Sequence, residues 1–215
     1  MFTGLVEEVG TIAKKTPYGG GFEFEIECSK VLESAQEGDS INVNGVCQTV
    51  TKITSDSFTV VAVEETLKKT TMGGFYQGSK VNLERSLLAS SRLGGHFVLG
   101  HTDVTGTITS IEKLSASTNF TIAFPKQFAK YMVPVGSIAV DGISLTCAEV
   151  FSDSFKVAII PHTIANTVLK YKSIGDPVNL EFDVLGKYVV KLLGKEPEAG
   201  TTYSSDWLKE NGFEA

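Results

Sequence analysis

The chain has 215 residues, which at roughly 150 residues per domain predicts one or two domains. It carries 19 basic and 25 acidic residues, a net charge of −6, and no run of Lys or Arg offsets the acidic excess. Because nucleic acids and anionic membranes are bound through clustered positive charge, we expect neither as a partner. The opening MFTGLVEEVG contains two acids and no base, so we expect no signal or transit peptide. No apolar run approaches the roughly 20 residues that span a bilayer, and we expect a cytoplasmic protein.

The cysteines and histidines do not form a metal-binding pattern. The three cysteines are scattered and no C-x-x-C is present, which argues against a disulfide framework and against thiolate zinc. His96 and His101 are five residues apart and would lie on opposite faces of a regular strand, so they are poor joint ligands. His101 and Asp103 share a face, but no third ligand is evident. We therefore expect no metal.

The first half of the chain carries a series of short β patterns. Alternating or Val/Ile/Thr/Phe-rich runs mark the strands, and Gly, Pro, Asn and Ser clusters mark the turns. About six short strands in about 90 residues predict a closed barrel or a sandwich, which remove sheet edges, and we favour a barrel. The strand patterns include FEFEIE at 22–27, SINVNG at 40–45 and SFTVVAV at 57–63, with turn clusters at 17–21, 44–45, 55–57 and 73–74.

The second half repeats the first. At an offset of 97 residues, 17 of the 45 positions from 40 to 84 are identical to those from 137 to 181 without a gap. The identities include SDSF at 55–58 over 152–155 and VNLE at 81–84 over 178–181. Each copy, at about 90 residues, is long for a solenoid repeat and suits a small domain with its own core. The sequence therefore predicts a tandem duplication of one β domain.

We place the two domains at residues 1–92 and 93–185, joined where SSRLGG breaks the apolar pattern, and a helical tail at 186–215. After the second copy, one helical face collects Leu185, Tyr188, Val189, Leu192 and Leu193. KEPEAGTTYSS is typical of a linker, and a last short helix containing Trp207 would begin after Ser204 or Ser205 and end at Gly212. We expect such a tail to pack or to oligomerise.

Each copy presents a small polar pair on one strand face. Residues two apart on a strand point the same way, so Cys47 lies beside Thr49, and Ser144 lies beside Thr146 in the second copy. Taken alone, these residues fit β propensity and packing. Because small polar character is kept at both equivalent positions, we also consider a nucleophile or hydrogen-bond donor at each.

The two copies differ in a titratable group. His101 occupies the place that Leu5 holds in the first copy. A histidine at a barrel rim is often a hydrogen-bonded structural residue, but its ordinary pKa of about 6.5 also suits a general acid or base at neutral pH. Two matched cavities with different titratable groups suit two similar ligands that are treated differently. P-loop, Rossmann and α/β-hydrolase signatures are absent from the sequence.

Several motifs together resemble the riboflavin synthase family over about residues 1–185. They are MFTGLVEEVGTI at the start, GDSINVNGVCQTVT from 38, VNLERSLL from 81, GGHFVLGHTDV from 94 and VDGISLT from 140. The resemblance implies an all-β fold of two tandem six-stranded Greek-key barrels with a C-terminal helix. It also implies a homotrimer whose active sites form between the first barrel of one subunit and the second barrel of a neighbour.

The reaction implied by the resemblance is a dismutation of two molecules of 6,7-dimethyl-8-ribityllumazine. Both occupy one active site, and one donates a four-carbon unit to the other, giving riboflavin and 5-amino-6-ribitylamino-uracil. No cofactor is implied. The alternative is a non-catalytic relative, a lumazine protein, in which the same barrels hold a fluorescent lumazine or flavin. Those proteins look altered at the GGHxxxGH stretch, whereas His96 and His101 are both present here.

The resemblance also assigns residues to two pockets. The first would be formed by Gly4, Leu5, Val6, Cys47, Gln48, Thr49, Val61, Ala62, Val63, Glu64, Glu65 and Thr66. The second would be formed by Gly100, His101, Thr102, Ser144, Leu145, Thr146, Ile160, Pro161, His162, Thr163, Ile164 and Ala165.

The same resemblance indicates six residues for chemistry or close positioning, namely His101, Cys47, Ser144, Ser40, Asp141 and Phe2. Our hypothesis is that His101 assists proton removal from the acidic C7 methyl group of one lumazine. Cys47 or Ser40 would supply or stabilise a nucleophile that adds to the other lumazine. Ser144 and Thr146 would hold the ring.

Overall fold

The computed structural model describes residues 1–193, and these form two closed antiparallel barrels of six strands each. The first contains β1 to β6 in the order β1-β2-β5-β4-β3-β6, and the second repeats that order with β7 to β12. The predicted barrels and the duplication are thereby confirmed. Within residues 1–193 no helix has the length and apolar character needed to cross a membrane.

The strands of the two barrels correspond one to one. The first barrel contains β1 (Glu8–Tyr18), β2 (Gly21–Glu27), β3 (Ser40–Val43), β4 (Val46–Ile53), β5 (Ser57–Ala62) and β6 (Lys80–Arg85). The second contains β7 (Val104–Lys113), β8 (Thr118–Ala123), β9 (Ser137–Val140), β10 (Ile143–Val150), β11 (Ser154–Ile159) and β12 (Pro177–Phe182). Helices α1 (Glu64–Lys69) and α2 (Pro161–Ala165) follow β5 and β11, and short 3₁₀ helices lie at Lys30–Glu33, Thr71–Gly74, Lys126–Tyr131 and Val168–Tyr171.

Each barrel has one tight hairpin turn between its third and fourth strands. Asn44 (φ 49°) and Gly45 (φ 84°) join β3 to β4, and Asp141 (φ 45°) and Gly142 (φ 78°) join β9 to β10. Positive φ at both central residues defines the type I′ turn, which Asn-Gly and Asp-Gly favour because its twist matches that of the strands. With β3, β4 and β5 joined as hairpins and β6 returning beside β3, the order is a Greek key.

Each barrel has its own core, which follows from the period-two alternation of its strands. In the first barrel the fully buried side chains include Ile12, Phe24, Ile26, Ile41, Phe58, Val60 and Leu83. Their counterparts in the second barrel include Ile108, Phe120, Ile122, Ile138, Phe155, Val157 and Leu180. Burying a side chain of this size contributes about 1.5–3 kcal/mol. The apolar side chains therefore fill the interior of each barrel, and the exposed polar side chains of the same strands lie on its outer surface, which we call the outer wall.

Two equivalent asparagines tie the barrels together. The Nδ2 group of Asn82 donates to the carbonyl of Asp141 (2.9 Å), and its Oδ1 accepts from the backbone N–H of Val168 (2.8 Å). Asn179 makes the reciprocal contacts, donating to the carbonyl of Asn44 (2.7 Å) and accepting from the N–H of Thr71 (2.8 Å). Both side chains are buried, so loss of either would leave backbone groups unpaired at about 1–3 kcal/mol each.

The segments that precede the barrels are exchanged between the two halves. Gly4, just ahead of the first barrel, accepts the backbone N–H of Ser144 in β10 at 2.8 Å. Gly100, just ahead of the second barrel, accepts the N–H of Cys47 in β4, also at 2.8 Å. The two segments also pair with each other, because the N–H of Phe2 donates to the carbonyl of Val98 at 2.7 Å. Each half therefore contributes its first residues to the outer wall of the other.

Gly4 and Gly100 need to be glycine for two reasons. Their φ angles, +78° and +76°, lie in the left-handed region that other residues rarely adopt. A Cβ atom at Gly4 would lie 2.6 Å from the Cβ of Ser144, and one at Gly100 would lie 2.7 Å from the Cβ of Cys47. The exchange therefore brings backbone directly against the two small polar residues of the repeat.

The last element of the described residues is helix α3 (Val184–Leu193). As predicted, it is amphipathic, and its apolar side chains are exposed in the single chain: Leu185, Tyr188, Val189, Leu192 and Leu193. Lys187 on α3 forms an ion pair with Asp103 at the start of β7 (2.6 Å). The predicted linker and final helix with Trp207 lie outside the described residues.

We predict that Gly100→Ala destabilises the fold by more than backbone strain alone. A left-handed conformation costs an alanine about 1–2 kcal/mol, and the close approach to Cys47 adds a displacement of the segment. Thermal unfolding of the variant should show a lower midpoint than the wild type, and hydrogen exchange at residues 96–103 should be faster.

Gly38→Ala is the matched control. Gly38 has φ +92°, yet a Cβ there would meet no atom within 4 Å. It should therefore show the strain cost without the change in exchange at 96–103. Equal midpoints and equal exchange in the two variants would show that contact with Cys47 does not constrain Gly100.

Candidate active site

The first site lies on the outer wall of the first barrel, across β3, β4 and β5. Val46, Gln48 and Val50 are buried, whereas Cys47 is partly exposed and Thr49 is exposed, so the expectation that the last two share a face is confirmed. Ser40 begins β3 and pairs with Thr49 across the ladder. It also lines a cavity of about 400 Å³ together with Leu5 and Glu84. Three small polar side chains thus occupy one stretch of wall.

His101 belongs to this first site. Gly100 accepts the backbone N–H of Cys47, so the next residue, His101, lies against β4 of the first barrel. Thr102 continues the contact, donating from Oγ1 to the carbonyl of Gly45 at 3.2 Å. The His101 side chain is exposed and makes no hydrogen bond within residues 1–193. The backbone contact therefore brings an exposed histidine next to the strand that carries Cys47 and Thr49.

The second site is the equivalent wall of the second barrel, around Ser144 and Thr146 on β10. The segment that lies against it is Gly4–Val6, through the bond from the N–H of Ser144 to the carbonyl of Gly4. We expected Gly4–Val6 in the first pocket and Gly100–Thr102 in the second, whereas these backbone hydrogen bonds place Gly4 against β10 and Gly100 against β4. Overlaying the copies assigns each segment to its own barrel, whereas the structure exchanges them.

His96 is the partner of Ser144. Its Nδ1 lies 2.7 Å from the Ser144 Oγ, and the imidazole is buried, at 8% exposure. Burial lowers the pKa of His96, with the nearby Asp183 opposing the shift, so the ring is neutral at pH 7. The direction of this hydrogen bond depends on the tautomer of the ring, and His96 Nε2 is buried with no partner among residues 1–193. His96 was not among our candidates, although it stands in the same GGHFVLGH motif as His101.

The remaining pocket residues flank these walls. The predicted segment 61–66 contains the end of β5 and the start of α1, and the segment 160–165 contains Ile160 and all of α2. Val63 is 53% exposed and Ile160 is 57% exposed, so each site has an apolar edge beside its polar groups. Glu65 pairs with Lys69 along α1, and His162 lies 3.4 Å from the Asn166 side chain on α2.

Two predicted residues, Phe2 and Gln48, lie behind the wall of the first site. Phe2 is fully buried and packs with Val98 and Cys47 on the interior side of the first site. Gln48 is buried on the inner side of β4, and its Nε2 donates to the carbonyl of Cys47 at 2.8 Å. Both can position Cys47, but neither side chain lines the open surface.

Asp141 lies between the barrels, away from the open surfaces of both walls. It is fully buried, its Oδ1 accepts the N–H of Asn179 at 2.8 Å, and its Oδ2 pairs with Lys172 Nζ at 3.0 Å. Burial raises the pKa of this carboxyl, and Lys172 opposes that rise. In the first copy Asn44 and Phe75 stand in place of Asp141 and Lys172, so the charge and its partner occur together. The carboxylate thus bonds residues of its own barrel, whereas the Asp141 carbonyl joins the halves by accepting from Asn82.

A sequence model of the family described as "Lumazine binding domain" matches the chain twice, over residues 3–86 and 99–183. Each match covers one barrel and its preceding segment. The duplication therefore repeats one lumazine-binding domain.

Two relatives named riboflavin synthase match the chain over its whole length. The protein of Bacillus subtilis is 45% identical over 215 residues, covering 99% of this chain and 100% of the relative. The protein of Actinobacillus pleuropneumoniae is 46% identical, with the same coverage.

A solved structure of LumP complexed with riboflavin superposes with a TM-score of 0.79 at 26% identity, covering 85% of this chain and 99% of that one. A LumP complex with 6,7-dimethyl-8-(1'-D-ribityl) lumazine gives 0.77 at 25% identity, with the same coverage. LumP therefore shares the fold at a much lower identity than the full-length relatives. With two lumazine-binding domains and full-length identity of this order, the chain belongs to the riboflavin synthase family.

Proposed function

We propose that the protein converts two molecules of 6,7-dimethyl-8-ribityllumazine into riboflavin and 5-amino-6-ribitylamino-uracil. One molecule gives a four-carbon unit to the other. The atoms of the two substrates equal those of the two products, so no external oxidant or reductant enters the balance. The observation that carries the proposal is the pair of sites with the same backbone construction and different reactive side chains. That the reaction needs no cofactor and that the protein is cytoplasmic both remain predictions.

The first site supplies the groups for proton removal and for the addition of a nucleophile. His101, exposed beside Cys47, takes a proton from the C7 methyl group of one lumazine, whose carbanion then attacks the second molecule. The Cys47 thiol or the Ser40 hydroxyl supplies or stabilises the nucleophile that activates that second molecule. In the second site Ser144, held by neutral His96, and Thr146 bind the ring. Holding the two lumazines in register itself lowers the barrier by several kcal/mol, roughly 7–11 at best.

The complete active site joins the first wall of one subunit to the second wall of a neighbour in a homotrimer. Each wall is open in the single chain and edged by exposed apolar side chains, including Leu5, Val63 and Ile160. Helix α3 presents a further exposed apolar face. Apolar surface of this kind is stabilised by burial in an interface.

The first prediction concerns turnover. Purified protein incubated at neutral pH with 6,7-dimethyl-8-ribityllumazine alone should form riboflavin, followed by flavin absorbance, with two lumazines consumed per riboflavin. His101→Ala should lower kcat at least about tenfold, since general acid–base catalysis contributes 10²–10⁴-fold. The exposed Lys113→Ala should leave kcat unchanged.

Two outcomes would contradict this account. A stable lumazine complex with no riboflavin would indicate the antenna function instead. Wild-type turnover in His101→Ala would remove His101 from the chemistry.

The second prediction concerns assembly. Light scattering should give a mass of three times the 23.1 kDa of one chain. Leu192→Asp should shift the mass toward one chain and lower kcat. Leu192 is 69% exposed in the single chain, so the substitution costs the isolated fold little.

Lys191→Asp is the control, because it adds the same acidic group one position away, off the apolar face of α3. Its trimer should persist. A wild-type monomer with full turnover, or an intact Leu192→Asp trimer, would exclude α3 as the interface.

A further inference from the structure

The VNLE repeat ends in two buried carboxylates that the proposed chemistry does not use. Glu84 closes the motif in β6 and Glu181 closes it in β12. Their exposures are only 6% and 3%. Carboxylates are rarely buried without partners, because an unpaired charge away from water is costly. Each must therefore be compensated by specific donors.

The donors are the backbone N–H groups of the exchanged segments. Glu181 accepts from the N–H of Leu99 at 2.6 Å through Oε1 and from the N–H of His101 at 2.9 Å through Oε2. Glu84 accepts from the N–H of Thr3 at 2.7 Å through Oε1 and from the N–H of Gly4 at 3.0 Å through Oε2. Each carboxylate thus uses both oxygens on the segment that precedes its own barrel.

We call these two carboxylate contacts, Glu84 with Thr3 and Gly4 and Glu181 with Leu99 and His101, the carboxylate clamps. The two clamps differ in one respect that affects the sites. In the first half the Thr3 hydroxyl also donates to Glu84 (2.6 Å) and accepts the N–H of Leu5 (3.2 Å). Leu99, which replaces Thr3, has no hydroxyl, so Glu181 bonds the N–H of His101 directly. The backbone N–H of the exposed histidine is therefore bonded directly by the carboxylate, with no hydroxyl between them.

We propose that Glu181 is a positioning residue for His101, and that Glu84 is the equivalent positioning residue for Gly4 and Leu5. Because the segments are exchanged, each clamp serves the site on the opposite barrel: Glu181 in the second barrel sets the first site, and Glu84 in the first barrel sets the second. The kinetic part of this inference rests on the proposed function, whereas the clamp itself does not.

A carboxylate is required because both of its oxygens accept hydrogen bonds. Glutamine has the same shape but presents one acceptor and one donor, so one segment N–H would face an NH₂ group. Burial raises the pKa of both carboxyls, and the segment N–H groups counter that rise by stabilising the charged form. Lys187 also favours the charged form of Glu181, whereas Asp103 opposes it.

The test compares Glu181→Gln with Glu84→Gln, each in the wild-type chain and with His101→Ala. In the wild-type background Glu181→Gln should lower kcat about tenfold with KM changed less than about threefold, because a misplaced catalytic group can cost up to about 10²-fold. With His101→Ala, the same substitution should lower kcat less than about twofold, since residues that act together are not additive. Single-turnover measurements with excess enzyme keep slow variants measurable.

Glu84→Gln is the matched control, since it removes the same group from the equivalent place in the other half. Its effect on kcat should be the same factor with and without His101. Hydrogen exchange should rise at residues 97–103 only in Glu181→Gln and at residues 2–6 only in Glu84→Gln.

Three results would overturn the inference. They are wild-type kcat in Glu181→Gln, an equal loss with and without His101, or unchanged exchange at 97–103. If the wild-type chain itself formed no riboflavin, the proposed function would fail, but the exchange measurement would still decide whether the clamps exist.

Discussion

Two backbone hydrogen bonds, from Cys47 to the carbonyl of Gly100 and from Ser144 to the carbonyl of Gly4, determine how both sites are built. Strand β5 pairs with β4 only from Val50 onward, so the N–H of Cys47 lies beyond the ladder on that side. A buried N–H without a partner is costly. The segment ahead of the second barrel satisfies it, and in doing so it places His101 on the first wall. Neither barrel completes its own wall.

This exchange explains why a duplicated chain can treat two identical substrates differently. The backbone of the two sites is equivalent, down to the left-handed glycines and the carboxylate clamps. The side chains on it are not: Cys47 stands where Ser144 does, and His101 where Leu5 does. The first site has a free imidazole, whereas in the second a neutral, buried His96 serves only Ser144. A reaction in which one molecule of a compound is the donor and a second molecule of the same compound is the acceptor needs such a difference.

Much of the fold was predictable, because its signals are local. The alternation in FEFEIE, the Asn44-Gly45 turn and the ungapped repeat through VNLE gave the strands, a hairpin and the two barrels. The open wall of Cys47 and Thr49 followed from strand periodicity.

The exchange of segments was not predictable, because an overlay of two copies relates residues within each half and says nothing about contacts between halves. His96 was missed for a different reason: its partner Ser144 lies in the same half but 48 residues away, a separation that strand periodicity does not relate. Asp141 was placed in the site by resemblance, whereas its burial against Lys172 depends on the packing of the two barrels.

The most direct test is a crystal structure of the protein with an unreactive lumazine analogue bound in both sites. The account predicts that the analogue on β4 and β5 of the first barrel contacts His101 and Thr102, and that the analogue on β10 and β11 contacts Leu5 and Val6. An analogue on the first barrel lying against Gly4–Val6, with His101 beside Ser144, would contradict the exchange.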